Sequence, residues 1–343
     1  MKFFDVSKWG DSSGQSTIGT REKEILVDPD SGKTYFLKYS MNKPTKDYKT
    51  EYWSEIIAYE IGSYLGFNVL EYGLAEKNGR FGCISENMVD TDSEQLIEGY
   101  SILNNYDPSY DPEDKSMYHM YTFSFVCNAL KKYGYERFIL DFINILIFDA
   151  IIGNSDRHQG NWGFIHKRSL SPGEDTTTKM SRLALWNWKK KGLSEKEKKV
   201  DRSRDAMSPI YDSGCCLGRE FPDEKISLKL KDRVSFDSFI RKSEAELRRD
   251  DMPRKKVSHF DLLRFIMNTD EKYKKYITER INAIISIFDT QQIENIVMNI
   301  DSNIPEKIRK QCVMCDERKQ FIIKVVTLRV EKLKELAKDV SKD

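Results

Sequence analysis

Asp156 and Asn161 stand five residues apart in Asn154-Ser155-Asp156-Arg157-His158-Gln159-Gly160-Asn161-Trp162-Gly163, a carboxylate and a carboxamide on one polar stretch. Phosphoryl transfer uses that spacing: the carboxylate lies beside the attacking hydroxyl, and the carboxamide holds a magnesium ion. An Asp-x-x-x-x-Asn pair is common by chance, so its weight comes from its partners. A cation must meet the α- and β-phosphates, one carboxylate must fix that cation, and another must complete the metal site. Lys38, Glu55 and Asp212 fall in that order along the chain. Singly, each has an ordinary explanation. A strand lysine or a helical glutamate is usually a solvated charge, and Asp212 before Ser213-Gly214 is usually a turn. Four segments that each supply the expected residue outweigh those readings.

The elements that must position these groups follow from pattern. Glu24-Ile25-Leu26-Val27 and Thr34-Tyr35-Phe36-Leu37-Lys38-Tyr39 flank the turn formers Asp28-Pro29-Asp30-Ser31-Gly32-Lys33, which predicts a β-hairpin with Lys38 near its end. Gly32-Lys33-Thr34 resembles the end of a Walker A loop, but Val27 stands where that motif needs glycine. Trp53, Ile56, Ile57, Ile61 and Leu65 keep helical spacing, so residues 52–65 read as a helix carrying Glu55 and capped by Gly66. Two strands, 68–75 and 80–85, are expected around a turn at Lys77-Asn78-Gly79. The pattern turns helical from about residue 100, broken by a polar loop at 104–115. The apolar run 138–152 leads into the Asp156 loop, and Trp162-Gly163-Phe164-Ile165 reads as a short buried strand. Helices are expected at 257–268, 271–300 and 305–340. The fold class is α+β: a two-lobed, protein-kinase-like fold with a small β-rich lobe at 1–90 and a mainly helical lobe at 91–343.

Bulk properties exclude several alternatives. Net charge is +1 with a pI near 7.5, so no global field recruits nucleic acid or membrane. The longest apolar stretch, 142–152, contains Asn144 and Asp149 and is too short to span a bilayer. Met1-Lys2-Phe3-Phe4-Asp5-Val6 lacks the apolar core of a signal peptide, which points to the cytoplasm and leaves export without an N-terminal signal open. Residues 167–205 depart from the average, with twelve Lys/Arg against six Asp/Glu. A solvated insertion is the simplest reading of that net +6, with an acidic substrate, nucleic acid or lipid headgroups as alternatives. Cys312 and Cys315 form the one C-x-x-C pair, yet no second pair exists to complete a zinc site, and both lie in the helical pattern.

Asn154-x-Asp156-Arg157-His158-x-x-Asn161-Trp162-Gly163 followed by Pro209-Ile210-Tyr211-Asp212 resembles the HipA-type Ser/Thr kinases, and within them the compact CtkA-like branch. The resemblance implies ATP and Mg2+ as cofactors and a protein carrying a Ser or Thr acceptor as partner. It implies that Gly19-Thr20-Arg21-Glu22-Lys23 is the phosphate loop, with Gly19, Thr20, Arg21 and Lys23 at ATP, and that Glu86 and Met88 bind adenine through their backbone. Such kinases phosphorylate their own phosphate loop, which makes Ser12, Ser13, Ser16, Thr17 and Thr20 candidate autophosphorylation sites. HipA itself has a further subdomain ahead of that loop, so the resemblance leaves open whether an antitoxin-type partner exists. The Asp-Arg-His-x-x-Asn pattern also occurs in phosphatidylinositol kinases, which keeps lipid or small-molecule acceptors open. His158 then either offers a donor to the reacting phosphate or shapes the loop backbone. A kinase-shaped binding module without turnover is the remaining rival.

Overall fold

A computed structural model describes residues 1–11, 22–43, 46–48, 51–168 and 202–340. After β1 (Phe3–Asp5) and β2 (Gly10–Asp11), the expected hairpin forms from β3 (Lys23–Val27) and β4 (Thr34–Tyr39). Asp28 organises its turn by accepting from Ser31 Oγ at 2.5 Å and from the Asp30 amide at 3.1 Å. The Walker-like Gly32-Lys33-Thr34 is therefore hairpin turn, not phosphate loop. Two short strands, β5 (Asn42–Lys43) and β6 (Lys46–Asp47), precede α1 (Glu51–Tyr64). Its Trp53, Ile56, Ile57 and Ile61 are buried, and Gly66 leaves the helix at φ +71°.

β7 (Gly73–Lys77) and β8 (Arg80–Glu86) turn through Asn78 and Gly79, both at positive φ as a tight two-residue hairpin requires. The strand expected from residue 68 begins only at Gly73; Val69 instead bridges in parallel to Ile210, beside the Asp212 segment. The six-stranded sheet runs β1-β7-β8-β4-β3-β2, with β1 parallel to β7 and the other pairs antiparallel.

Beyond it lie β9 (Glu94–Glu98), α2 (Gly99–Tyr106), α3 (Phe123–Lys132) and α4 (Ile139–Ile152). α4 is buried nearly all round, which explains its almost unbroken apolar sequence. β10 (Gly163–Lys167) pairs with β9 and with β11 (Ala206–Met207). The remaining helices are α5 (Asp223–Lys231), α6 (Arg233–Lys242), α7 (His259–Met267), α8 (Glu271–Ile287), α9 (Thr290–Met298), α10 (Glu306–Cys312) and α11 (Asp316–Val340). α7, α8 and α11 pack on α4.

The two long C-terminal helices expected from periodicity are each broken. Asp289 stops one and caps α9 by accepting from the Gln291 amide at 2.9 Å. Extended backbone at Val313 divides the other. Cys312 and Cys315 sit at that break as free thiols, and the Cys312 carbonyl accepts from Trp53 Nε1 at 3.0 Å. Among the described residues no helix is long and apolar enough to cross a membrane. The segment 169–201, most of the basic stretch, lies outside the described residues. Asp205 at its end is buried, bonded to Tyr135 Oη at 2.8 Å and His166 Nδ1 at 2.7 Å, so the last residue of that stretch does enter the packed structure.

Candidate active site

The Asp156 loop grows out of the end of α4. Gly153 breaks the helix in the left-handed conformation, and Asp149, 1% exposed, anchors the residues beyond it. Its carboxylate accepts from Asn154 Nδ2 at 2.9 Å and from Arg157 Nε and Nη2 at 3.0 and 2.9 Å. Arg157 also donates from Nη1 to the Asn161 carbonyl at 2.9 Å and to the Tyr211 carbonyl, and from Nη2 to Ser213 Oγ at 3.0 Å. One buried guanidinium thus ties the helix end, both ends of the Asp156 loop and the Asp212 segment together. Burial opposes its charge, but Asp149 outweighs that and raises its pKa.

Within the loop, Asn161 Nδ2 donates to the Asp156 carbonyl at 2.8 Å. That bond folds the five-residue spacing back on itself and leaves the amide oxygen of Asn161 as the group available to a cation. His158 Nδ1 accepts from the Gly160 amide at 3.1 Å, so the neutral ring carries its proton on Nε2. It therefore shapes the backbone and keeps one donor. The Asp156 carboxylate accepts from the Cys215 thiol at 3.1 Å.

The cation cluster draws on three elements. Lys38 of β4 places Nζ 3.1 Å from Asp212 Oδ1 and 3.9 Å from Glu55 Oε1 of α1. Glu55 Oε2 accepts from the Ser213 amide at 2.8 Å. Asp212 sits at φ +55°, and its amide donates to Tyr72 Oη at 3.3 Å. Burial alone would discharge Lys38. Asp212, then Tyr72 and Glu55, outweigh it and hold the ammonium well above the usual lysine range. Two carboxylates share that one ammonium, and Asp212 is the more exposed of the two. Asp212 and the Asn161 amide oxygen are hard oxygen donors of the kind magnesium takes beside phosphate and water. Among the described residues no group of three or more His, Cys, Asp or Glu converges, and such a site needs none.

Lys23 opens β3 directly opposite Lys38, so the two residues share a sheet face. Gly19, Thr20 and Arg21, with Ser12, Ser13, Ser16 and Thr17, lie outside the described residues. Glu86 ends β8, exposed, with its side chain on Lys33 at 2.8 Å. The Asn87 amide donates to the Thr34 carbonyl at 2.8 Å. By the alternation of an antiparallel ladder, the backbone groups of Glu86 then face away from β4, while Met88 lies in a bend past the strand end. Sequence reasoning missed Tyr72, Cys215 and the anchoring role of Arg157. A usable signal existed for the last: Asp149 is a carboxylate inside an apolar helix, which demands a buried partner.

Over 197 residues, 56% of its length, the chain is 25% identical to the serine/threonine-protein kinase CtkA of Helicobacter pylori. That match takes in 47% of the relative, so the two correspond over about half of the relative's length. The crystal structure of a Helicobacter pylori proinflammatory kinase CtkA superposes with TM-score 0.70 at 18% identity, covering 99% of both chains. A HipA toxin from Shewanella oneidensis, solved with HipB and operator DNA, aligns at TM-score 0.43 and 12% identity, over 97% of this chain and 67% of its own, too loosely to carry an argument. No family model matches the chain. The two-lobed, protein-kinase-like α+β fold is borne out, and the chain is related to CtkA, as its two motifs indicated.

Proposed function

We propose that the chain is an ATP- and magnesium-dependent kinase of HipA-like type that phosphorylates Ser or Thr hydroxyls on a protein. The observation that carries this is the convergence of Lys38, Glu55 and Asp212 from β4, α1 and the segment after β11 on one buried ammonium. Lys38 would meet the α- and β-phosphates, Glu55 would hold it in place, and Asp156 would orient the acceptor hydroxyl and take up its proton. Asn161 and Asp212 would hold magnesium, which when bound neutralises charge on the transferring phosphoryl group. His158 Nε2–H stands as a donor for that group, and the 86–88 backbone as the adenine contact. Lys23 with the 19–21 loop would cover the phosphates. In this reading residues 1–90 form the nucleotide lobe and 91–343 the acceptor lobe, and the protein works in the cytoplasm. Ser12, Ser13, Ser16, Thr17 and Thr20 would be autophosphorylated, which mass spectrometry after incubation with ATP checks; no phosphate on these residues refutes that part.

The test uses γ-labelled ATP with protein, phosphoinositide and aminoglycoside acceptors side by side. Label on protein Ser or Thr is expected. Label confined to phosphoinositide or aminoglycoside would reassign the acceptor class, and label on none would refute the kinase reading.

A further inference from the structure

α1 carries a second buried carboxylate one turn before Glu55. Glu51 is 1% exposed, and residues four apart share a helix face. Both face the segment after Asp212, but they reach different ends of it. Glu55 holds Lys38 and the Ser213 amide, whereas Glu51 pairs with Nη1 of Arg219. Glu51 also accepts from the Met41 amide at 3.0 Å. Arg219 lies 4.6 Å from the centre of the Tyr48 ring, and its Nη2 donates to Cys215 Sγ at 2.9 Å. With a sulfur lone pair so occupied, the thiol directs its own proton to Asp156 Oδ2, 3.1 Å away.

We propose that Glu51, Arg219 and Cys215 are positioning residues that set the Asp156 carboxylate only when α1 is docked against the 212–219 segment. The inference rests on the kinase reading and deepens it. A carboxylate with neither oxygen held turns freely about its terminal torsion. The thiol clamps Oδ2, which leaves Oδ1 for the acceptor hydroxyl. Because the clamp starts on α1, the helix that sets Lys38 through Glu55 also sets Asp156 through Glu51. Nucleotide side and acceptor side are thereby assembled together: a displaced α1 withdraws Glu51, releases Arg219 and frees Asp156 to rotate.

The test compares the full chain with Glu51→Gln, Cys215→Ala, their double variant and Cys215→Ser. Glu51→Gln and Cys215→Ala are each expected to lower kcat about tenfold, the size of one well-oriented hydrogen bond, with KM for ATP unchanged. The double variant should fall no further than the worse single one, since both cut the same chain. Cys215→Ser, which keeps a donor, should recover most of the loss. Hydrogen exchange without nucleotide is the second readout: amides of residues 156–161 should exchange several-fold faster in Glu51→Gln, the effect passing through Arg219 and Cys215. An unchanged kcat in Glu51→Gln, or losses that multiply in the double variant, overturns the proposal. If wild type transfers no phosphate, the kinase reading fails, and exchange alone decides here: unchanged protection at 156–161 overturns the coupling. Should Glu51→Gln lower Tm, Arg219→Lys supplies the same comparison, because it keeps the charge and loses the two-pronged contact.

Discussion

Arg157→Met tests how the Asp156 loop is held. The side chain is 2% exposed and joins Asp149, the Asn161 and Tyr211 carbonyls and Ser213 Oγ. Removing it leaves the Asp149 carboxylate buried with the Asn154 amide at 2.9 Å as its neutral partner. An uncompensated buried charge of this kind costs about 3–5 kcal/mol, a large share of the roughly 5–15 kcal/mol that stabilises a domain. Calorimetry should therefore show Tm lower by roughly 10 °C. Asp149→Asn added to Arg157→Met removes the stranded charge while keeping the bond to Asn154, so most of the stability should return. Phosphate transfer should not return with it. The Asn161 and Tyr211 carbonyls still lack their shared donor, and misplacement of the loop is expected to hold kcat about a hundredfold below wild type. Arg157→Met within about 1 kcal/mol of wild type, or a double variant with wild-type transfer, would show that this guanidinium does not organise the site.

Asp212 tolerates one substitution better than others. Asn also adopts the left-handed backbone seen at φ +55°, so Asp212→Asn adds no backbone strain, but it takes from buried Lys38 its nearer carboxylate; Tm should fall by a few degrees, and magnesium-dependent ATP binding should drop at least tenfold by calorimetric titration. Gly99→Ala would place a methyl 2.4 Å from the Trp162 ring, behind the loop, and should destabilise by about 1–3 kcal/mol in urea unfolding. Buried His259 bonds the Asn154 carbonyl at 2.7 Å, yet burial and then Arg329 push its pKa down to about 4. The unfolded chain binds the proton first, so stability should fall by up to about 3 kcal/mol as pH drops from about 6.5 to 4. His259→Asn should flatten that part of the pH profile, and an unchanged slope would contradict the assignment.

Much of this site was legible because its chemistry fixes spacing. Asp156 to Asn161 is a local pattern, and the order Lys38, Glu55, Asp212 survives any loop length between them. The 24–27 and 34–39 strands, the helix carrying Glu55 and the apolar α4 were legible from their own periodicity. The hidden part depends on distant partners with ordinary residue types. Arg219 meets Glu51 across 168 positions, and Tyr72 meets Asp212 across 140. Nothing local marks a tyrosine or an arginine for such a contact. The 68–75 strand was read too long because Val69 and Leu70 have strand propensity, which the structure satisfies through Ile210 rather than the main sheet. The long C-terminal helices were overextended for the opposite reason. Apolar periodicity continues through Phe288 and Val313, while the Asp289 cap and one extended residue redirect the chain.

The central claim is that Asp156 orients the acceptor hydroxyl for transfer from ATP. Single-turnover transfer of labelled phosphate, measured beside ATP affinity for wild type and Asp156→Asn, addresses it most directly. Wild type should label protein Ser or Thr, and Asp156→Asn should bind ATP within about twofold of wild type yet transfer at least a hundredfold more slowly, the size expected for a lost catalytic carboxylate. Equal transfer by the two proteins, or none by either with ATP bound, would contradict the role given to Asp156.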